Sequence, residues 1–416
     1  MKGNYIVLRN SLLLLGINVF VRGIWLLLWH PYPHFDFLWY FVHAIGIAKG
    51  YGYLANGLPT AYWPIGYPLF LAAFIKLFGV HYIPLEMINA CLSSGIVLLI
   101  YLLCIRFFPE SKIPFVAALA YSFLPSQIEW NATLGSEELY TFLLLVSFYV
   151  LLVVASKRNW LPAFIAGILL GFACDVRPIA LLFPAFYMAM VGWSHRKQGK
   201  KAILFIKSKL LPYTLGMILA VSPVTIRNEI VLHHFIPVST NGGIVLWQGT
   251  HVDTGYYWTW HPASNPLLAA GTNEVLENQI GEQQFFDHII HHPFLDFFHG
   301  FAKWYYLYNR DDNVLFDVFY GTPYLYGEIM LILSYLNNFY YYVFMLFAIL
   351  GIWKARKWGF HGQNPLLYYV VYNTLIFFVF PAWDRFHYPM MPVLAIYVAI
   401  GIVALHRKMK SRPEKY

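Results

Sequence analysis

Apolar runs of about 18 to 22 residues recur along the whole chain, and this feature restricts the fold more than any other. A helix of that length crosses the hydrocarbon core of a bilayer, whereas a membrane β-barrel would show alternating apolar residues. Of the 416 residues, 59% are hydrophobic and only 12% are charged. Soluble domains have about 25% charged residues. The sequence therefore predicts an all-α polytopic membrane protein and excludes an ordinary soluble enzyme.

The Lys and Arg residues predict the orientation of the spans. They cluster in short segments between alternate apolar runs, for example at Lys157 and Arg158, at Arg196–Lys201 and at Lys354–Lys357. Cytoplasmic loops carry such an excess, so both termini are predicted on the cytoplasmic side of the plasma (inner) membrane. The net charge of +8 then reflects topology, not nucleic-acid binding. Nearly all carboxylates fall in the other loops, which indicates a function on the outer face.

About ten spans fit this alternation. They are predicted at residues 8–29, 84–105, 113–130, 139–156, 160–175, 178–194, 210–226, 337–353, 364–381 and 388–406. Counting the apolar segment Pro64–Gly79 as a full span would invert every later loop, so it is predicted to be a short re-entrant or interfacial helix. Two long outer loops remain, at residues 30–83 and 227–336. Their aromatic-rich composition is typical of juxtamembrane helices, and one is predicted at His291–Arg310.

Asp36 is the first candidate for chemistry, because it follows the first span and has Phe35, Phe37 and Leu38 beside it. Apolar neighbours partly desolvate a carboxylate, and a desolvated carboxylate is a stronger base. A solvated acid at the end of a helix is the alternative interpretation. Ionisable groups close to a membrane are often functional, which favours the first interpretation.

Glu137 and Glu138 are adjacent carboxylates at the point where the chain re-enters the membrane. With Ser136 as an N-cap, the pair would interact favourably with the positive end of the next helix dipole. Two adjacent carboxylates also favour a nearby cation, for which a divalent metal ion or a lipid-borne amine would serve. Both interpretations stay open at this point.

Three arginines, Arg177, Arg227 and Arg385, lie at the predicted outer ends of spans, where the positive-inside rule disfavours them. A shared anionic partner such as a phosphate would account for all three. The alternative is local ion pairing, for which the neighbours are Asp175, Glu229 and Asp384.

A polar turn follows Arg227 and contains Asn241, Gly242 and Gly243. Backbone N–H groups in such a turn can bind an oxyanion or a sugar, so these residues are a candidate substrate loop. An ordinary turn is the alternative, since Asn and Gly favour turns for conformational reasons.

In this order, these segments resemble the GT-C membrane glycosyltransferases, specifically the branch with the protein O-mannosyltransferases and the lipid A aminoarabinose transferase. The resemblance rests on Asp36 after the first helix, YWPIGYPLFLAAFIKLFG, SEELYTFLL, Val176–Pro178, IRNEIVLHHFIPVSTNGG and DRFHYPMMP.

The resemblance implies a single GT-C domain over residues 1–416. It also implies a polyprenyl-phosphate sugar donor that enters from the membrane lipids and a hydroxyl acceptor on a glycan, lipid or protein. Transfer would take place on the extracytoplasmic face and invert the anomeric centre. A nucleotide cofactor is not expected, and a divalent metal ion is a candidate.

The same resemblance implies roles for individual residues. Asp36 takes the position of the catalytic carboxylate, and Glu137 or Glu138 that of the acid that supports the donor or a metal. Arg227 and Arg385 match the contacts to the donor phosphate better than Arg177 does.

Two other functions remain alternatives. A transporter or flippase of lipid-linked glycans would also bind phosphate through outer arginines, and a glycan polymerase would also have a long outer loop. Transporters typically carry polar groups near the membrane midplane and two-fold repeats, and neither is evident in the sequence. The glycosyltransferase is therefore the favoured hypothesis.

Overall fold

The computed structural model describes residues 2–109, 111–155, 159–194, 199–250, 258–322, 327–357 and 365–410. Some residues of the predicted cytoplasmic segments, namely Lys157, Arg158, Arg196 and Lys197, lie outside these ranges. In the described part the regular secondary structure is helical, apart from a small antiparallel hairpin of Leu54–Ala55 (β1) and Leu58–Pro59 (β2). The predicted all-α polytopic membrane fold is thus confirmed.

The α-helices follow one another along the described chain with these bounds. They are α1 (Lys2–Leu28), α2 (Phe35–Ala48), α3 (Gly66–Phe78), α4 (Tyr82–Phe107), α5 (Ile113–Ser122), α6 (Pro125–Glu129), α7 (Glu137–Tyr149), α8 (Leu161–Val176), α9 (Phe183–Ser194), α10 (Lys200–Phe205), α11 (Leu211–Leu232), α12 (Gly242–Gln248), α13 (Glu274–His291), α14 (Pro293–Tyr308), α15 (Val314–Val318), α16 (Gly327–Lys357), α17 (Pro365–Ile376) and α18 (Met391–Lys410).

Six segments of the described chain are long and apolar enough to cross a bilayer. They are Tyr5–Leu28, Tyr82–Phe107, Glu137–Val154, Ile203–Leu232, Gly327–Arg356 and Asp384–His406. The other four predicted spans coincide with shorter apolar helices, at Ile113–Ser122, Leu161–Val176, Pro178–Ser194 and Pro365–Ile376. Each of the ten predicted spans therefore has a helix. Two of these helices, Ile113–Ser122 and Pro365–Ile376, are clearly shorter than predicted.

Two predicted boundaries are wrong for local reasons. The span predicted at 113–130 ends at Ser122, because Pro125 follows and the residue before a proline disfavours helix; Leu124 has an extended ψ of 112°. The span predicted at 210–226 continues to Leu232 and ends at the left-handed residue His233, with φ 56°. Arg227 therefore lies inside a helix, not at its end.

The first predicted outer loop contains two of the short apolar helices, α2 and α3, which pack against each other. The N-terminus of α3 also approaches the end of α8 closely, since a Cβ on Gly66 would lie 2.5 Å from the carbonyl oxygen of Asp175. A glycine is required there for this contact. The predicted helix at Pro64–Gly79 is confirmed as α3, and it places the first loop against the end of α8.

The long loop is the segment between α11 and α16, and its described part contains α12 to α15. The predicted helix at His291–Arg310 is confirmed as α14. One face of α14 is strongly exposed, with Phe294 at 80% and Phe298 at 66%, as expected for a helix at the membrane interface. On its other face, Nζ of Lys303 donates hydrogen bonds of 2.8 Å to the carbonyl oxygens of Gly249 and Val379.

Candidate active site

Four segments that are distant in sequence bring two carboxylates and two guanidinium groups together. Arg385 lies at the centre of this group, which we call the charged cluster (Asp36, Glu137, Arg177 and Arg385). Its Nη2 is 2.8 Å from Oδ2 of Asp36, and its Nε donates to Oε1 of Glu137 at 2.6 Å. Arg177 donates from Nη1 to the same Glu137 oxygen at 2.5 Å. One arginine therefore bridges two acids, and one acid bridges two arginines.

Local sequence explains where these side chains stand. Pro31 and Pro33 prevent α1 from continuing, so the chain turns and starts α2 with Asp36 in its first turn. Glu137 likewise lies in the first turn of α7, and carboxylates are favoured at these positive helix ends. Arg177 is the C-cap of α8, where a cation is favoured.

Exposure differs among the members of the charged cluster. The side chain of Asp36 is 20% exposed and that of Arg177 is 19% exposed, whereas Glu137 is only 1% exposed. The Arg385 guanidinium is covered by aromatic rings, with its Cζ 4.8 Å from the ring centre of Phe37 and 5.3 Å from that of Trp130. Asp36 is thus the carboxylate of the cluster that a ligand can reach.

The local ion pairs considered from the sequence are not those of the structure. In the described part, Arg177 and Arg385 pair with Glu137 and Asp36 instead of their neighbours Asp175 and Asp384. Asp384 accepts hydrogen bonds from the backbone N–H groups of Asp312 and Asn313, at 3.0 and 2.8 Å. Since backbone N–H groups already satisfy the Asp384 carboxylate, it is a poor ion-pair partner for the guanidinium of Arg385.

Ser136 does not act as a side-chain N-cap of α7. Instead, its hydroxyl accepts a hydrogen bond of 3.1 Å from Nη1 of Arg177. The predicted capping role is therefore wrong, because the arginine takes the oxygen that a cap would use.

Glu138 has surroundings different from those of Glu137. It is fully buried, and within the described residues neither carboxylate oxygen has a hydrogen-bond partner from another residue. The buried guanidinium of Arg22 attracts it electrostatically and has an Nη2 that is likewise unpartnered in the described chain. Arg22 is held by Asn18 and by Oγ of Ser93, the latter at 2.8 Å. The structure thus separates the two adjacent acids, since only Glu137 contacts the arginines of the charged cluster.

Arg227 makes contacts of a different kind. Its Nη1 donates to the carbonyl oxygen of Thr60 at 2.6 Å and its Nη2 to that of Tyr53 at 3.2 Å. Glu274 accepts from Oγ1 of Thr60 at 2.5 Å and from the N–H of Ala61 at 2.7 Å. Together these contacts tie the first loop to α11 and α13, and the structure does not bring Arg227 into the charged cluster.

The predicted substrate loop is also occupied by internal contacts. Asn241 precedes α12 and accepts a hydrogen bond of 2.7 Å from Oγ of Ser239, while the N–H of Gly243 donates to Oδ1 of Asn278 at 2.7 Å. A Cβ on Gly243 would lie 2.0 Å from the carbonyl oxygen of Asn278, so this glycine permits α12 to pack on α13. Gly242, just before it, starts α12. The N–H of Gly243 is therefore unavailable for the predicted oxyanion contact.

Sequence reasoning missed two residues beside the charged cluster. Nε2 of His34 lies 3.1 Å from Oδ1 of Asp317, and both side chains are buried. Burial raises the pKa of Asp317, while the hydrogen bond to His34 and the charge of Arg385 act in the opposite direction. Proximity of His34 to Asp36 in the chain was a usable signal. The sequence gives no comparable signal for Asp317, which comes from the far end of the long loop.

A second buried network fixes the segment that carries Arg385. This segment, Asp384–Met390, is a 3-10 helix. Nδ1 of His387 is 2.7 Å from the carbonyl oxygen of Leu307, and Nε2 is 3.0 Å from Oδ1 of Asp311. The imidazole is nearly parallel to the rings of Tyr308 and Tyr341, at 10° and 9°. The end of the long loop is thereby attached directly next to Arg385.

No group of three or more His, Cys, Asp or Glu side chains that could hold a metal ion is found where the structure describes the chain.

Comparison with known proteins gives one match and one negative result. The family model of the dolichyl-phosphate-mannose-protein mannosyltransferases matches residues 63–226. No curated protein matches the chain significantly. The matched segment contains Glu137 and Arg177 but neither Asp36 nor Arg385. This match and the helical membrane architecture agree with the resemblance stated above: over residues 63–226 the chain is similar to the dolichyl-phosphate-mannose-protein mannosyltransferases, which are membrane glycosyltransferases of the GT-C type.

Proposed function

We propose that the protein is an inverting glycosyltransferase that moves a sugar from a polyprenyl-phosphate donor to a hydroxyl acceptor on the extracytoplasmic face of the plasma membrane. The ion pair of 2.8 Å between Asp36 and Arg385 is the observation that carries the proposal. A carboxylate beside a guanidinium supports the proposal, because the first can serve as the base and the second can bind a phosphate.

Arg385 and Arg177 are the proposed contacts of the donor phosphate. A guanidinium has five N–H groups, and the ion pairs of Arg385 use its Nε and one hydrogen of Nη2. The remaining N–H groups suit the two oxygens of a phosphodiester, for which the arginine fork is well shaped. Their positive charge stabilises the phosphate as it leaves, so a general acid on the leaving group is not required.

Asp36 is the proposed general base. The acceptor oxygen attacks the anomeric carbon from the side opposite the phosphate and forms the new C–O bond. At the same time the bond from the anomeric carbon to the phosphate oxygen breaks, and its electron pair leaves with the phosphate. The hydroxyl proton passes to the carboxylate of Asp36, which later releases it to solvent. Direct displacement of this kind inverts the anomeric centre.

A divalent metal ion stays a prediction. Magnesium commonly uses one or two carboxylates and completes its shell with phosphate oxygens and water. Asp36 is the exposed carboxylate of the charged cluster and would be the protein ligand of such an ion.

The experiment is a transfer assay on the purified protein in detergent, with a labelled polyprenyl-phosphate sugar and a panel of hydroxyl acceptors. We expect an acceptor-dependent release of free polyprenyl phosphate. D36N should lose at least about 100-fold in turnover and still bind donor, because the amide keeps the shape but cannot accept the proton. The matched control is D287N, which removes an exposed carboxylate of α13 that pairs only with His291 in the described structure.

Three outcomes would contradict the proposal. A donor that stays intact with every acceptor, but crosses the bilayer when the protein is reconstituted in vesicles, would favour the transporter. Repeated addition to one growing chain would favour the polymerase. Unchanged turnover in D36N would remove Asp36 as the base.

A further inference from the structure

His34 and Asp317 lie beside the proposed base and have no part in the mechanism above. His34 precedes Asp36 by two residues, and Asp317 belongs to α15. Their contact of 3.1 Å between Nε2 and Oδ1 is buried, with only 8% and 9% of the side chains exposed. The chain next to Asp36 is thereby attached to the far end of the long loop.

The backbone at Phe35, between His34 and Asp36, has an unfavourable conformation. Phe35 has φ 45°, in the left-handed region that a bulky L-residue adopts only when its surroundings hold it there. Its own side chain is 59% exposed, and its ring contacts are with Tyr320 and Phe316, with the centres 5.0 and 6.4 Å apart. The neighbouring His34 is held much better, since its ring also stacks on Tyr320 with the ring centres 4.3 Å apart.

The contact between His34 and Asp317 contains a proton. Nδ1 of His34 faces the carbonyl oxygen of Tyr32 at 3.2 Å, and a carbonyl can only accept, so Nδ1 carries a hydrogen. Nε2 then faces a carboxyl oxygen, and a hydrogen bond between them requires a second hydrogen on one of the two atoms. The other charged groups that act on Asp317 are Asp36 and Arg385.

On the basis of the proposed function, we propose that His34 and Asp317 are positioning residues that hold Phe35 in its left-handed conformation and so direct the Asp36 carboxylate toward Arg385. The His34 ring also lies edge-on to Phe37, with the centres 5.5 Å apart, and Phe37 is a ring on which Arg385 stacks. His34 thus lies next to the backbone that carries Asp36 and also contacts a ring that covers Arg385.

The first test uses glycine to replace the support that His34 gives. H34A and D317A should each lower kcat by about 10- to 100-fold with little change in the KM for donor, because a displaced base slows the chemical step more than binding. In H34A/F35G, glycine adopts the left-handed conformation without strain, so kcat should recover at least partly. H233G is the matched control: it relaxes another left-handed residue, the C-cap of α11, and H34A/H233G should show no recovery.

The second test uses the proton in the contact. In D317N the amide N–H can donate to Nε2 of a neutral His34, so the contact no longer depends on the extra proton. We expect D317N to keep most of the wild-type kcat, because this hydrogen bond keeps His34 in place. D317A has no such hydrogen bond and should stay slow.

The third measurement does not depend on activity. The N–H of Leu38 donates to the carbonyl oxygen of His34 at 3.1 Å, so its hydrogen exchange reports on this turn. Exchange should be faster in H34A and D317A, and slower again in H34A/F35G. Wild-type protein without transferase activity would refute the proposed function, whereas the exchange result would still test the positioning role. Unchanged kcat and unchanged exchange in H34A and D317A would overturn the inference, and so would recovery with H233G.

Discussion

At the scale of single residues, Arg385 links the proposed base to the buried acid Glu137. A lysine carries the same charge on a single nitrogen, so it cannot occupy the positions of both Nε beside Glu137 and Nη2 beside Asp36, and it has no further N–H groups in a planar fork. We expect R385K to lower turnover by about 100-fold or more, since the phosphate-binding fork is lost together with the position of Asp36.

The matched control for R385K is R227K. Arg227 donates to two backbone carbonyls outside the charged cluster, and a lysine ammonium can also donate to carbonyls, so this variant should stay within a few-fold of wild type. The transfer assay described above measures the turnover of R385K and of R227K. Similar losses in the two variants would contradict the separate roles assigned to these arginines.

The buried charges of Arg22 and Glu138 lead to a second prediction. Arg22 and Glu138 are both buried and attract each other, although Arg385 attracts Glu138 as well, so E138Q and R22M should each destabilise the protein by about 1 kcal/mol or more. The double variant R22M/E138Q should recover most of that loss. Thermal unfolding in detergent, followed by intrinsic fluorescence, measures all three variants, and losses that add in the double variant would refute the coupling.

Single residues also show what the sequence could and could not predict. The sequence was sufficient to select all four members of the charged cluster, because ionisable residues near a membrane are rare and are often functional. Their partners were not identified, because proximity in the chain suggested Asp175 for Arg177 and Asp384 for Arg385. The actual partners are determined by which helix ends meet in three dimensions.

At the scale of elements, hydropathy located every membrane helix but not its ends. The break after α5 depends on Pro125, and the extension of α11 depends on a left-handed C-cap at His233. These are local conformational effects that an average over a window of residues removes. The attachment of the long loop through Lys303 and His387 likewise has no counterpart in the apolar pattern.

The packing of α14 leads to a prediction about pH. Burial lowers the pKa of Lys303 from 10.5 to about 8, so its charged form is less favourable in the folded protein than in the unfolded chain. Between pH 8 and 10.5 the unfolded chain binds more protons, and the free energy of unfolding therefore rises with pH. This contribution reaches about 3 kcal/mol at most.

The variant K303M tests this prediction, because it has no proton to lose at that position. The free energy of unfolding of the wild type should therefore rise relative to that of K303M as the pH is raised from 7 to 10. K76M is the matched control, since Lys76 lies in the last turn of the short helix α3 and has no hydrogen bond or ion pair among the described residues. Equal slopes for wild type and K303M would contradict the assignment.

At the scale of the whole molecule, the proposed orientation can be tested with cysteine labelling. Ser264 is exposed in the long loop, and Gly199 is exposed in a predicted cytoplasmic segment. In a C91S background, S264C should react with a membrane-impermeant maleimide in intact cells. G199C should react only after the cells are opened, because the positive-inside rule places it in the cytoplasm. The reverse pattern would place the charged cluster on the cytoplasmic face.

The origin of the charged cluster has a consequence for biogenesis. Asp36 and Glu137 are synthesised long before Arg385, which enters with the last membrane segment at Asp384–His406. Glu137 meets Arg177 early, but Asp36 has no ion-pair partner among the described residues except Arg385. A chain that stops before residue 384 therefore carries an uncompensated acid at the membrane. The charged cluster can therefore form only after residue 385 has been synthesised, so the proposed active site is among the last parts of the protein to assemble.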